Sequence, residues 1–125
     1  MKMRLRGSTL RLRLTRGEVD EIGAGDTIRE ETLFPGGQTL CYELAVGQSY
    51  GATLTTASDV TVVRIHVPQA QARAWAQSDE VGFAGEDPLA IDALEVLIEK
   101  DFTCITPREG EEELDTFPNP NAMSA

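Results

Sequence analysis

The first fourteen residues, MKMRLRGSTLRLRL, alternate apolar and charged or polar side chains with one interruption. A period of two puts successive side chains on opposite faces of an extended chain, so this stretch reads as strands and not as a helix. Met3 and Leu5 oppose Arg4 and Arg6, while Leu10, Leu12 and Leu14 oppose Arg11 and Arg13. The interruption, Gly7-Ser8, suits a two-residue type II′ turn, whose first position needs a positive φ. In that register Leu5 faces Leu10 and Arg4 faces Arg11. Any fold of this chain must therefore accommodate a hairpin with one apolar and one cationic face.

The rest of the chain continues in short extended segments. Thr15, with Glu18 three residues later, forms a capping-box signature and starts a helix over Arg16–Ile22 that Gly23 and Gly25 end. Asp26–Phe34 reads as a third strand, broken by Pro35-Gly36-Gly37, and Gln38–Val46 as a fourth, with Leu40, Tyr42, Leu44 and Val46 on one face. Tyr50–Thr56 and Val60–Val67 form a hairpin around residues 57–59, and Pro68 opens a second helix through Gln77. Glu80–Gly85 and Ile91–Lys100 read as the last two strands. The domain is expected to span residues 1–106. Residues 107–125, with Pro107, the acidic run Glu109–Asp115 and Phe117-Pro118-Asn119-Pro120, are expected to form a disordered tail.

An offset of 53 carries Arg11-Leu12-Arg13-Leu14-Thr15 onto Arg64-Ile65-His66-Val67-Pro68, Val19 onto Ala72 and Ile22 onto Trp75. Helix-start chemistry falls at the same place in both copies. The expectation is an α+β fold: a mainly antiparallel eight-stranded barrel or curved sheet, two short helices and an internal duplication.

Charge narrows the partners. The 125-residue chain has net charge −10, which disfavours nonspecific nucleic-acid binding. Six of the 11 basic residues and none of the 21 acidic ones fall within residues 1–16. No apolar run is long enough to span a membrane, and MKMRLRG lacks the apolar core of a secretory signal. Cys41 and Cys104 read as free thiols of a reducing compartment, so the expected location is the cytoplasm.

Few residues carry a chemical signature. His66 is the only histidine, which leaves zinc poorly supplied, and no Gly-rich nucleotide loop is present. No metal and no cofactor are expected. Cys104 follows Glu99-Lys100-Asp101-Phe102 without an adjacent histidine base, and Cys41 reads as a small buried residue. The arginines are the remaining candidates. Like charges opposite one another weaken a sheet, by roughly 0.2–1 kcal/mol per pair, so something must offset the repulsion. One offset is pairing with Glu30, Glu43 or Glu95, or simple solvation. The other is a bound phosphate or carboxylate gripped by Arg4, Arg6, Arg11, Arg13 and Arg64. The leading expectation is binding of a small anionic ligand, phosphorylated ones included; the alternative is a noncatalytic protein-interaction module.

Two resemblances bear on these expectations. The strand and helix order, with the arginine-bearing strand Leu10-Arg11-Leu12-Arg13, resembles the triphosphate-tunnel fold of the adenylate-cyclase and thiamine-triphosphatase superfamily. That resemblance implies a charged tunnel for a polyphosphate and a divalent metal. The first strand, Lys2-Met3-Arg4-Leu5-Arg6, departs from the Glu-x-Glu-x-Lys of that superfamily. The chain also resembles a family of small bacterial proteins of unknown function, through Met3–Glu18, Val81-Gly82-Phe83, Glu99–Phe102 with Cys104, and Phe117-Pro118-Asn119-Pro120. That likeness spans most of the chain and implies no activity.

Overall fold

A computed structural model of the chain describes residues 1–83, 88–102 and 117. Eight strands and two helices follow one another as β1 (Lys2–Arg6), β2 (Thr9–Leu14), α1 (Arg16–Gly23), β3 (Ile28–Leu33), β4 (Thr39–Gly47), β5 (Gly51–Ala57), β6 (Val60–Pro68), α2 (Gln69–Ala76), β7 (Leu89–Ile91) and β8 (Leu94–Lys100). They build two four-stranded sheets, the first in the order β1-β2-β8-β7 and the second in the order β3-β4-β6-β5.

Local sequence chemistry accounts for the element ends. The first hairpin has the expected register, with Leu5 opposite Leu10 and Arg4 opposite Arg11, and Gly7 at its turn has φ +56°. In α1 the Thr15 hydroxyl accepts from the Glu18 amide at 3.3 Å, and the Glu18 carboxylate accepts from the Thr15 amide at 2.9 Å. Two of the four unpaired amides of the helix start are satisfied this way. Val19 and Ile22 of α1 and Ala72 and Trp75 of α2 are fully buried. The helices meet where they end: a Cβ on Gly23 would stand 2.6 Å from the Ala76 Cβ.

Two expectations need correction. The two sheets are separate, and no closed barrel forms. The pairing is mainly antiparallel, with two parallel pairs. Each hairpin is antiparallel, but β2 runs parallel to β8 and β4 parallel to β6, so both sheets are mixed. Alternation fixes which face of a strand is apolar; it carries no information on the direction of the neighbour. Finally, the seventh strand is not Glu80–Gly85 but Leu89–Ile91. The stretch Ile91–Lys100 is broken by a turn at Asp92, which has φ +55°. Of the Glu80–Gly85 segment, Gly82 makes an isolated antiparallel bridge to Glu99, and residues 84–87 lie outside the described residues.

One core serves both sheets. Leu10, Leu12, Leu14, Val96 and Ile98 enter it from the first sheet, and Ile28, Leu44, Ile65 and Val67 from the second. Because side chains alternate, Arg11, Arg13, Leu97 and Glu99 occupy the opposite, outer face of the first sheet. Phe117 joins the rim of the core. Its amide donates to the Asp101 carbonyl at 2.7 Å, and its ring centroid lies 5.8 Å from that of Phe102. The rest of the expected tail, 107–116 and 118–125, lies outside the described residues.

Candidate anion-binding site

The outer face of the first sheet is a grid set by strand register. Across β1 and β2, Lys2 stands opposite Arg13, Arg4 opposite Arg11 and Arg6 opposite Thr9. Across β2 and β8, Thr9 meets Glu95, Arg11 meets Leu97 and Arg13 meets Glu99. Four of the five arginines expected at an anion site, Arg4, Arg6, Arg11 and Arg13, therefore share one face. Arg4, Arg6 and Arg11, with Thr9, line a hollow of about 180 Å³.

Carboxylates compensate this charge unevenly. Arg11 Nε lies 3.0 Å from Glu99 Oε1, and Arg13 Nε lies 3.9 Å from the same oxygen. The Thr9 hydroxyl reaches Glu95 at 3.5 Å, and Lys2 Nζ reaches Asp101 at 3.3 Å. Among the described residues, the side chains of Arg4 and Arg6 have neither an ion-pair nor a hydrogen-bond partner. Both are exposed.

Arg64, the fifth candidate, is not part of this group. It lies in the second sheet, on a row that runs Arg29, Glu43, Arg64, Thr53 across β3, β4, β6 and β5. Arg64 Nε donates to Glu43 Oε2 at 2.7 Å, and Arg29 donates to the other carboxylate oxygen. The bond from Arg64, with that from Arg29 behind it, holds the buried Glu43 carboxyl below its ordinary range against the opposing effect of burial. Pairing with Glu43 is thus the offset found for Arg64, whereas Glu99 provides it for Arg11.

The remaining sequence candidates lie apart. Cys41 is fully buried in the second sheet, where burial pushes its thiol pKa up, the opposite of nucleophile activation. Cys104 lies outside the described residues. His66 pairs in register with Ala45 and Gly51, away from the arginine hollow. Among the described residues, no three His, Cys, Asp or Glu side chains are grouped as a metal site requires. No helix there is long and apolar enough to cross a membrane.

Sequence reasoning missed two features. One is Thr9, whose parity places it with Arg11 on the outer face of the first sheet. The other is the burial of Lys100 at the end of β8. Its ammonium donates to the Ser78 carbonyl at 2.6 Å and lies 5.6 and 5.3 Å from the ring centroids of Trp75 and Phe117. Burial lowers its pKa. The signal available was Phe117, an aromatic residue within an otherwise polar segment.

A family model, described as a family of unknown function (DUF7009), matches residues 1–121. The chain belongs to DUF7009. The expected likeness to a family without a known activity is thereby shown over nearly the whole length. No curated protein and no solved structure matches this DUF7009 chain, so the triphosphate-tunnel resemblance has no structural neighbour to support it. The arginine face of this DUF7009 member has to be interpreted from its own geometry.

Proposed function

We propose that the outer face of the first sheet binds an anionic group, gripped by Arg4, Arg6 and Arg11, with Arg13 at the rim. The observation that carries this reading is the pair Arg4 and Arg6, two guanidinium groups without partners among the described residues, at a hollow of about 180 Å³. Guanidinium forks match carboxylate and phosphate oxygens in bidentate geometry. The hollow is smaller than the roughly 300–1,000 Å³ of a site for a drug-sized ligand, so it suits one charged group and not a whole cofactor.

The two halves of the chain supply a comparison. We read them as a duplication: a ββαββ unit ending with β4 and a second ending with β8, each giving one hairpin to each sheet. The offset of 53 is supported by α1 and α2, which start and end 53 residues apart. It aligns Arg11 with Arg64. In the second sheet Glu43 stands beside Arg64; at the matching row of the first sheet the neighbour on β8 is Leu97. The first sheet thus lacks a carboxylate where Glu43 stands beside Arg64, and an external anion would supply negative charge to its arginines.

Thermal unfolding with phosphate, pyrophosphate and triphosphate tests the reading. A ligand at 100 times its Kd stabilises by about 2.7 kcal/mol, enough to raise Tm by several degrees. Arg4→Ala and Arg11→Ala should leave the ligand-free Tm near wild type and reduce the shift. If no anion shifts the wild-type Tm, the site fails.

A second reading, a protein-interaction surface without catalysis, is favoured by one observation. The arginines point away from the shared core, and three of the cations sit on an edge strand. Both readings use the same side chains.

A further inference from the structure

Resting on the anion-binding reading, we infer that the anion this face recognises is a row of carboxylates on an extended acidic peptide segment of another chain, paired along the free edge of β1. Strand β1 terminates the first sheet and, among the described residues, pairs only with β2. Its outward backbone amides and carbonyls are therefore available to a further strand. Lys2, Arg4 and Arg6 project to one face at two-residue spacing, about 6.8 Å apart. A strand added about 4.8 Å away, with an acid at every second position, sets a carboxylate beside each cation.

Charge selects the occupant. A second copy offering its own β1 would oppose cation to cation, so the edge rejects self-pairing. A long polyanion such as nucleic acid would extend past the basic strip onto a protein of net charge −10. A short acidic strand covers the strip alone. The carboxylate is favoured over phosphate by the second sheet, where two arginines already close on a carboxylate, that of Glu43.

The test is calorimetric titration of the full chain with three heptapeptides of equal length: one alternating Glu and Thr with four Glu, one with the same four Glu consecutive, and one with Gln for Glu. The alternating peptide is expected to bind at least tenfold more tightly than the consecutive one, and the Gln peptide not at all. Methylating the alternating peptide's edge-facing amides should weaken it at least tenfold, and so should the double variant Arg4→Ala/Arg6→Ala. The chain carries its own acids at alternate positions, Glu109, Glu111, Glu113 and Asp115, and these can compete. The titration is repeated with all four replaced by their amides in the full chain, and the same order of affinities is expected. Equal binding of alternating and consecutive peptides in both backgrounds, or indifference to methylation, overturns the strand inference. The anion reading then stands or falls separately, on whether pyrophosphate still raises the wild-type Tm and fails to do so in the double variant.

Discussion

Arg11 and Arg64 occupy matching places in the two sheets, yet the residues beside them on the adjacent strands differ. Beside Arg64 stands Glu43, buried and held by two guanidinium groups; beside Arg11 stands Leu97, with Glu99 one alternation further along. Removing one charged partner from a buried carboxylate costs about 1.5–3 kcal/mol, whereas a half-exposed ion pair contributes about 0–1 kcal/mol. Arg64→Ala should therefore destabilise the protein by about 2 kcal/mol in chemical denaturation and Arg11→Ala by less than about 0.5 kcal/mol; the reverse order would refute this assignment. Glu43 also gives a pH signature. Its carboxyl pKa is lower in the folded chain than in the unfolded one, so its contribution is complete above the ordinary glutamate value of about 4.3 and fades as pH falls through the lowered folded value. Glu43→Gln should thus cost about 2 kcal/mol at pH 7, and its stability gap from wild type should close as the pH is lowered below about 4. A gap that is constant with pH would mean that the carboxylate charge is not what the arginines hold.

Hairpins and helix ends are the parts of this fold legible from sequence, because their determinants lie within a few residues. Gly7, Thr15, Glu18 and the alternating leucines were sufficient for the first hairpin and the start of α1. The turn at Asp92 escaped notice because Asp92-Ala93 lacks the glycine that usually marks a positive φ. Ser58, at the turn before β6, likewise has φ +53°. Ser58→Gly should stabilise by about 0.5–1 kcal/mol, since relief of a left-handed conformation outweighs the extra freedom of the unfolded glycine; a loss of stability would place the strain elsewhere. Phe117 is anchored by its backbone bond to Asp101 and by its ring against Phe102, with Arg16 and Lys100 5.4 and 5.3 Å from its centroid. Phe117→Ala should cost about 2 kcal/mol, below the 3–5 kcal/mol of a fully buried phenylalanine. It should also raise the labelling rate of Lys100 by an amine reagent, read by peptide mapping. An unchanged denaturation midpoint would leave the contact without energetic weight.

At the scale of the molecule, the pairing of β2 with β8 and of β4 with β6 joins strands that are distant in sequence, and no local pattern specifies it. Glu99 was for that reason not foreseen as the partner of Arg11, and Arg64 was placed with arginines that belong to the other sheet. What the sequence did contain was the 53-residue offset, and it bears on how the halves meet. Gly23 and Ala76 are the last residues of the two helices, one offset apart, and they touch each other. Gly23→Ala should cost about 1–3 kcal/mol through overpacking, and adding Ala76→Gly should restore most of it; additive losses would mean that the helices cross elsewhere. The central claim, an anion held by Arg4, Arg6 and Arg11, is tested most directly by following all arginine Nε–H resonances during a pyrophosphate titration. Saturable shifts at Arg4, Arg6 and Arg11, with Arg29 and Arg64 unmoved because Glu43 already occupies them, are the expected result. Shifts confined to Arg29 and Arg64, or none that saturate, would contradict it.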